Sequence, residues 1–195
     1  MTVGIVGAGT LGQGIAYRAA ASGYRTVLED VSRDRLADGL ASVTEALDRA
    51  ARRGHLTVGH RTRALENLAA AHAIEQVCRP ADLLIETVAD ELEAKLEIFT
   101  LFDRFAKPGA ILASTTVSLP IADLAGITFC AENCVGLRFA APVAEAGRLE
   151  IVRAPATSDV TVAACAEVGR RMGKEVAILL ERADSAAGAG RQLPK

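Results

Sequence analysis

The chain has 195 residues, 50% hydrophobic and 24% charged, and its 22 basic and 24 acidic side chains leave a formal net charge of -2. That composition fits one ordinary globular domain, long enough to bury a core without metal or disulfide staples. There is no basic excess to attract nucleic acid, and no apolar run approaches the roughly 18 residues of a membrane span, so neither partner is expected.

The N-terminus, MTVGIVGAG, has no basic n-region and no cleavage site. It reads as the start of the fold rather than a signal peptide, which predicts a cytoplasmic chain. Thr2 to Val6 is a short, β-branched apolar run and reads as a strand. Gly7 to Gly14 is glycine-rich, Ile15 to Ala21 continues as an apolar helix, and Gly23 ends it. Arg25 to Glu29 alternates like a second strand. Ser32 is placed to cap a helix from Arg33 to Arg53, in which Leu36, Leu40, Val43 and Leu47 recur at helical spacing. Gly54 closes that helix, and a second amphipathic stretch runs from about Thr57 to Ala70.

Leu83 to Val88 is apolar except for Glu86, as expected of a strand buried on both faces. Glu91 to Ala106 reads as a helix with Leu92, Leu96, Phe99 and Phe102 inward, stopped by Pro108 and Gly109. Ala110 to Ala113, Val135 to Phe139 and Leu149 to Val152 read as strands. Asp159 to Met172 reads as a helix closed by Gly173, and Val176 to Leu180 as a last strand. Ser185 to Lys195 is a small, polar tail. Alternating helices and apolar strands predict an α/β domain over residues 1–184 with a largely parallel sheet and no internal repeat.

Cys78, Cys130, Cys134 and Cys165 are scattered, so they read as reduced, small hydrophobes; no metal site is predicted. His55, His60 and His72 fall in polar stretches and read as surface residues, which leaves no obvious histidine for general-base work.

The most specific motif is Gly7-Ala8-Gly9-Thr10-Leu11-Gly12, a G-x-G-x-x-G directly after a strand and at the start of a helix. Gly7 makes the tight turn, Gly9 lets backbone approach a pyrophosphate, and Gly12 lets helix and strand pack closely. Free N–H groups at Thr10 and Leu11 and the helix dipole suit phosphate. Asp30 follows eighteen residues after Gly12, at the end of the second strand. A carboxylate there accepts from a ribose 2′-OH and repels a 2′-phosphate, which favours NAD over NADP. Glu29 is a second candidate for that role, and Arg33 and Arg35 lie nearby. The predicted architecture is a doubly wound, Rossmann-type sheet. A helix packed on a strand without ligand, or an FAD site, are the competing readings of the loop.

With GIVGAGTLGQGIA at 4–16, VLEDVS at 27–32, ADLLIETVADELEAKLEIF at 81–99, ILASTTVSLPI at 111–121, VGLRFAAPV at 135–143 and RLEIVRAPATSD at 148–159, the chain resembles the NAD-binding domain of the L-3-hydroxyacyl-CoA dehydrogenases. The resemblance runs from about Val3 to Leu180. It implies NAD as cofactor, a 3-hydroxyacyl thioester or related hydroxy acid as substrate, and a place in fatty acid metabolism. It also implies that Asp90, Lys95 and Ser114 lie on the nicotinamide side of the cofactor. Asp90 stands where the family has Glu, and Lys95 has a bland alternative as a solvated helix lysine.

The catalytic positions depart from the pattern. The family's Ser-Asn-Thr-Ser-Ser-Leu segment reads Ser114-Thr115-Thr116-Val117-Ser118-Leu119, so the substrate-binding serine falls on Val117, with Ser118 adjacent. The family's His-Phe-Phe-Asn-Pro segment reads Arg138-Phe139-Ala140-Ala141-Pro142, so the catalytic histidine falls on Arg138. The orienting glutamate matches Glu150. Arginine stays protonated and cannot serve as the base. Arg138 and Glu150 are therefore expected to form a charge-assisted pair. Three readings follow: an oxidoreductase in which Glu150, Arg138 and Ser118 are the remaining catalytic candidates, a non-catalytic NAD(H)-binding pseudoenzyme serving as sensor or complex subunit, and an enzyme that uses Arg138 to hold an anionic substrate. The resemblance further implies a helical domain after the Arg182 to Gly188 junction. The chain ends at Lys195, so that domain is expected to be absent and its face covered by a second copy or a partner protein.

Overall fold

The computed structural model describes residues 1–145 and 147–181. Eight strands form one sheet: β1 (Thr2–Val6), β2 (Arg25–Glu29), β3 (Leu68–Ala71), β4 (Leu83–Glu86), β5 (Ile111–Ser114), β6 (Cys134–Phe139), β7 (Gly147–Arg153) and β8 (Lys174–Leu180). Their spatial order is β3-β2-β1-β4-β5-β6-β7-β8. Every neighbouring pair is parallel except β6 and β7, which are antiparallel. The order reverses between β1 and β4, and ligands bind such sheets at that switch point, beyond the carboxyl ends of the strands. The expected doubly wound α/β fold is the one observed.

Helices cover both faces, which is why the inner strands are largely apolar, with Glu86 and Ser114 as buried polar exceptions at the ends of β4 and β5. The helices are α1 (Thr10–Ala21), α2 (Arg33–Arg52), α3 (Val58–Glu66), α4 (Ile74–Cys78), α5 (Leu92–Phe105), α6 (Ile121–Ala125) and α7 (Asp159–Arg171). One core, around Ile5, Ile15, Leu28, Leu47, Ile85 and Val135, lies beneath α1, α2 and α7. The other, around Val27, Val77, Leu84, Phe99, Phe102 and Ile121, lies beneath α4, α5 and α6. Ser32 caps α2 by accepting from the Arg35 N–H at 3.3 Å. Gly54 closes the helix with φ +74°, a conformation glycine adopts without strain.

Two readings are refined and two short helices are added. The stretch from Thr57 to Ala70 is not one helix: α3 stops at Glu66, and Leu68–Ala71 joins the sheet edge as β3. Its alanines favour helix intrinsically, but pairing with β2 satisfies the backbone and overrides that preference. Leu92 is 40% exposed rather than inward, because it opens α5 at the rim of the sheet. The five-residue helices α4 and α6 are too short for periodicity to reveal. The tail from Ser185 to Lys195 lies outside the described residues, as does the Arg182 to Gly188 junction.

The thiols are free, with Cys78, Cys134 and Cys165 buried and Cys130 half-buried. Burial pushes the three buried thiols up to about 12, so they are inert hydrophobes at neutral pH. All three histidines are exposed. Among the described residues no helix is long and apolar enough to cross a membrane.

Phe99 is fully buried and Phe129 is 99% exposed. Phe99→Ala is expected to lower unfolding free energy by about 3–5 kcal/mol. Phe129→Ala is expected to stay within about 0.5 kcal/mol of the parent. Urea denaturation of the two variants checks the placement of the second core.

Candidate nucleotide site and its buried polar network

The glycine loop is built by close backbone approach. Gly7 has φ +106°, and its N–H donates to the Glu29 carbonyl at 2.9 Å. A Cβ at Gly12 would lie 1.9 Å from the Gly7 carbonyl oxygen, so α1 can sit this close only with glycine there. Thr87, just past β4, locks the turn: its hydroxyl donates to the Gly7 carbonyl at 2.9 Å and sits near the Val6 carbonyl at 3.1 Å. Gly9 is different. Nothing lies within 4 Å of its missing Cβ. It is the N-cap of α1 and offers no side-chain cap, which leaves the first-turn N–H groups of Thr10 and Leu11 without one. Asp30 stands across from them. Its two carboxylate oxygens accept from the Ala8 and Ser32 N–H groups, each at 2.9 Å, which fixes the carboxylate and leaves lone pairs for a ligand hydroxyl.

Loop and acid open on one cavity of about 630 Å³, lined by Gly7, Gly9, Asp30, Val31, Ile98 and Leu101 among others. An open Gly9 face, uncapped amides, an anchored acid and an apolar slot fit a dinucleotide with a free 2′-OH.

Behind this cavity lies a polar network that the sequence does not announce. The Lys95 ammonium donates to both oxygens of Glu86, at 2.8 and 2.9 Å, and to the Val88 carbonyl at 3.3 Å. Lys95 is 1% exposed and Glu86 0%. Glu86 also accepts from the Val88 N–H at 2.6 Å and from the Ser114 hydroxyl at 2.8 Å. The Ser114 oxygen in turn accepts from the Thr116 N–H at 3.2 Å. Lys95 is therefore not a solvated helix lysine. Its three donors are used within the chain, on Glu86 and the Val88 carbonyl. Ser114 is likewise turned into the protein. Both hold the Glu86 carboxylate at the carboxyl end of the sheet.

Asp90 is the exposed member. It accepts from the Ser118 hydroxyl at 2.8 Å and the Val117 N–H at 3.3 Å, and lies 3.6 Å from Lys95. Partial burial works against its charge. Hydrogen bonds from Thr116, Ser118 and the Val117 N–H, with the Lys95 charge, outweigh that and hold the carboxyl below its usual range.

Arg138 and Glu150 are direct partners in the β6–β7 ladder, yet the expected ion pair does not form. Arg138 Nε donates to the Thr116 carbonyl at 2.9 Å. Glu150 pairs instead with Arg148, 3.4 Å away on its own strand. The Thr116 carbonyl at the end of β5 offers a neutral acceptor that the guanidinium reaches without burying a charged pair. Arg138, Ser118 and the exposed Val117 line a second cavity of about 460 Å³ with Leu179, Leu180 and Glu181.

Sequence reasoning missed the roles of Glu86, Thr87 and Lys174. Glu86 gave a signal, as the one acid in an apolar strand. Lys174 gave none: its ammonium donates to the Val143 and Glu145 carbonyls at 2.6 and 2.5 Å and so ties the β6–β7 connection to β8. Burial, helped by the Arg18 charge, lowers its pKa.

Comparison with known proteins fits this geometry. Residues 2–182 match the family model described as 3-hydroxyacyl-CoA dehydrogenase, NAD binding domain. A 3-hydroxybutyryl-CoA dehydrogenase of Bradyrhizobium diazoefficiens is 39% identical over 176 residues, covering 90% of this chain and 60% of that protein. The human mitochondrial hydroxyacyl-coenzyme A dehydrogenase is 32% identical over 177 residues, covering 88% and 56% respectively. The crystal structure of a Ralstonia eutropha (S)-3-hydroxybutyryl-CoA dehydrogenase superposes with a TM-score of 0.88 at 32% identity, over 93% of this chain and 64% of that one. The chain thus spans about three fifths of the length of such relatives. The cofactor that this family match supports is NAD.

Removing one member of the buried pair strands the other. Lys95→Met and Glu86→Gln are each expected to lower stability by about 3–5 kcal/mol, and the double variant to recover most of that loss. A double-mutant cycle in urea measures the coupling.

Proposed function

Because the chain belongs to the 3-hydroxyacyl-CoA dehydrogenase family and matches its NAD-binding domain, we propose that it is the NAD(H)-binding part of an oxidoreductase acting on a 3-hydroxyacyl thioester or related hydroxy acid. The observation that carries this reading is the joint geometry of the uncapped α1 N-terminus, the open Gly9 face and the anchored Asp30. Thr10 and Leu11 amides hold the pyrophosphate, and Asp30 orients the adenosine ribose. Asp90, fixed by Ser118 and Lys95, faces the opposite half of the site. NAD, when bound, supplies hydride acceptance or, reduced, hydride donation.

The acid–base part is altered. Arg138 cannot remove a hydroxyl proton, since guanidinium stays charged. What it can do is present a fixed positive charge and free N–H donors at the second cavity, where a thioester carbonyl, a carboxylate or a developing oxyanion is stabilised. The same substitution favours a second reading, an NAD(H)-binding subunit without turnover of its own. A second copy or a partner protein over the Val117, Ile178 and Leu180 face is part of either reading; all three side chains are exposed.

Fluorescence titration tests the cofactor assignment first. NADH is expected to bind at least about tenfold more tightly than NADPH, and Asp30→Ala to erase most of that preference. Acetoacetyl-CoA reduction then separates the two functional readings. If only the base is lost, Arg138→His with Val117→Ser raises turnover by about 100-fold. No gain in a variant that still binds NADH supports the subunit without turnover.

A further inference from the structure

We propose that Glu29 is a specificity-determining residue of the nucleotide site, the group that reads the amino edge of the adenine base. The inference rests on the assignment of NAD to the 630 Å³ cavity. Glu29 ends β2 on the same face as Val27, toward α4 and α5. It is only 7% exposed, it lines the cavity beside Asp30, and its carboxyl has no protein hydrogen bond among the described residues. The carboxyl sits at the rim of the Val6–Val27 cluster, where an apolar residue would simply extend that cluster, and it faces the cavity instead. A carboxyl carried on a nearly buried residue and free of protein partners at a cavity wall is placed to meet a ligand group.

The position says which group. Pyrophosphate belongs at Gly9 to Gly12 and the ribose at Asp30, so the base continues away from the loop. There the wall is apolar, formed by Val31, Ile74, Ala94, Ile98 and Leu101, a slot for a flat ring. Glu29 is the buried polar group bordering it. Adenine presents an N6–H donor beside a ring-nitrogen acceptor. A protonated carboxyl, donor and acceptor in one plane, pairs with both; an ionised one can only accept and faces the ring lone pair.

Burial, with the neighbouring Asp30 charge, pushes Glu29 up to about 7. The protonated form is therefore available near neutral pH. Other charged or titratable groups around it are Asp30 on its own strand, Arg35 from α2, His72 before α4, Glu75 and Cys78 on α4, and Glu97 on α5.

The test is NADH titration of the full chain at pH 6 and pH 8.5. Wild-type affinity is expected to fall at least about fivefold with rising pH as the donor is lost. Glu29→Gln keeps a donor and an acceptor without titrating, so it should match wild type at pH 6 and show no pH slope. Glu29→Val should fold at least as well, checked by thermal melting, yet bind NADH about fivefold more weakly than Glu29→Gln. Nicotinamide 1,N6-ethenoadenine dinucleotide, whose amino edge is blocked, should be discriminated against by wild type and Glu29→Gln but not by Glu29→Val. Equal NADH affinity in the Val and Gln variants overturns the inference, as does a pH slope that survives in Glu29→Gln. Failure of wild type to bind NADH at all overturns the NAD assignment and this inference with it.

Discussion

A buried charge pair, Glu86 with Lys95, organises the carboxyl end of the sheet, and most of the site can be traced outward from it. Two ions removed from water are tolerated only when every lone pair and proton is used, and here they are. Lys95 ties α5 to β4. The Val88 N–H bends the chain out of β4 toward Asp90, and Ser114 carries the same carboxylate across to β5. From Ser114 the bonding passes to Thr116, whose carbonyl holds Arg138 at the end of β6. Three strand ends and one helix are thus fixed relative to one another by one desolvated carboxylate. Hydrophobic contacts of equal area would have held these elements as strongly but without setting the directions in which the loops leave the sheet.

The nucleotide half is governed by a second constraint, steric rather than ionic. Gly12 over the Gly7 carbonyl leaves no room for a side chain, and Thr87 closes the turn from the β4 side. Because Thr87 directly follows Glu86, the loop that would cradle phosphate and the network that would position the chemistry share one strand end. The Asp30 carboxylate is fastened to the loop through the Ala8 N–H, so the loop and the acid at the end of β2 are mechanically one unit. Such a site is preorganised: little of the binding energy of a ligand is spent on ordering the protein.

The legible parts of the sequence were those with a local rule. Strand after strand of apolar residues, helix caps at Ser32 and Gly54, and the spacing of Gly7, Gly9 and Gly12 each follow from short-range geometry. The α/β sheet and its ligand edge were readable for that reason. Long-range choices were not. Leu68–Ala71 became a strand only because β2 offered an edge. The resemblance singles out Lys95, but no spacing shows that its partner is Glu86, buried beneath it on β4. Arg138 and Glu150 face each other in the ladder as the pattern implied, but the guanidinium had an alternative acceptor in Thr116 that no spacing could reveal.

That alternative bears on what an arginine can do at the end of β6. A histidine in this position would need a carboxylate to set its tautomer and stabilise its charge, and Glu150 is the group available across the ladder. Arginine needs neither service. Its charge is permanent, and one bond from Nε to a carbonyl orients the whole plane. Released from that duty, Glu150 drifts to Arg148 on its own strand, half-exposed and of little energetic weight. With Arg138 on the Thr116 carbonyl and Glu150 on Arg148, the two side chains part while the strands that carry them stay paired. The binding apparatus on the other side of Glu86 depends on none of these groups. The glycine loop and Asp30 are fastened without any bond to Arg138 or Glu150, so the two ends of this sheet edge are built independently of each other.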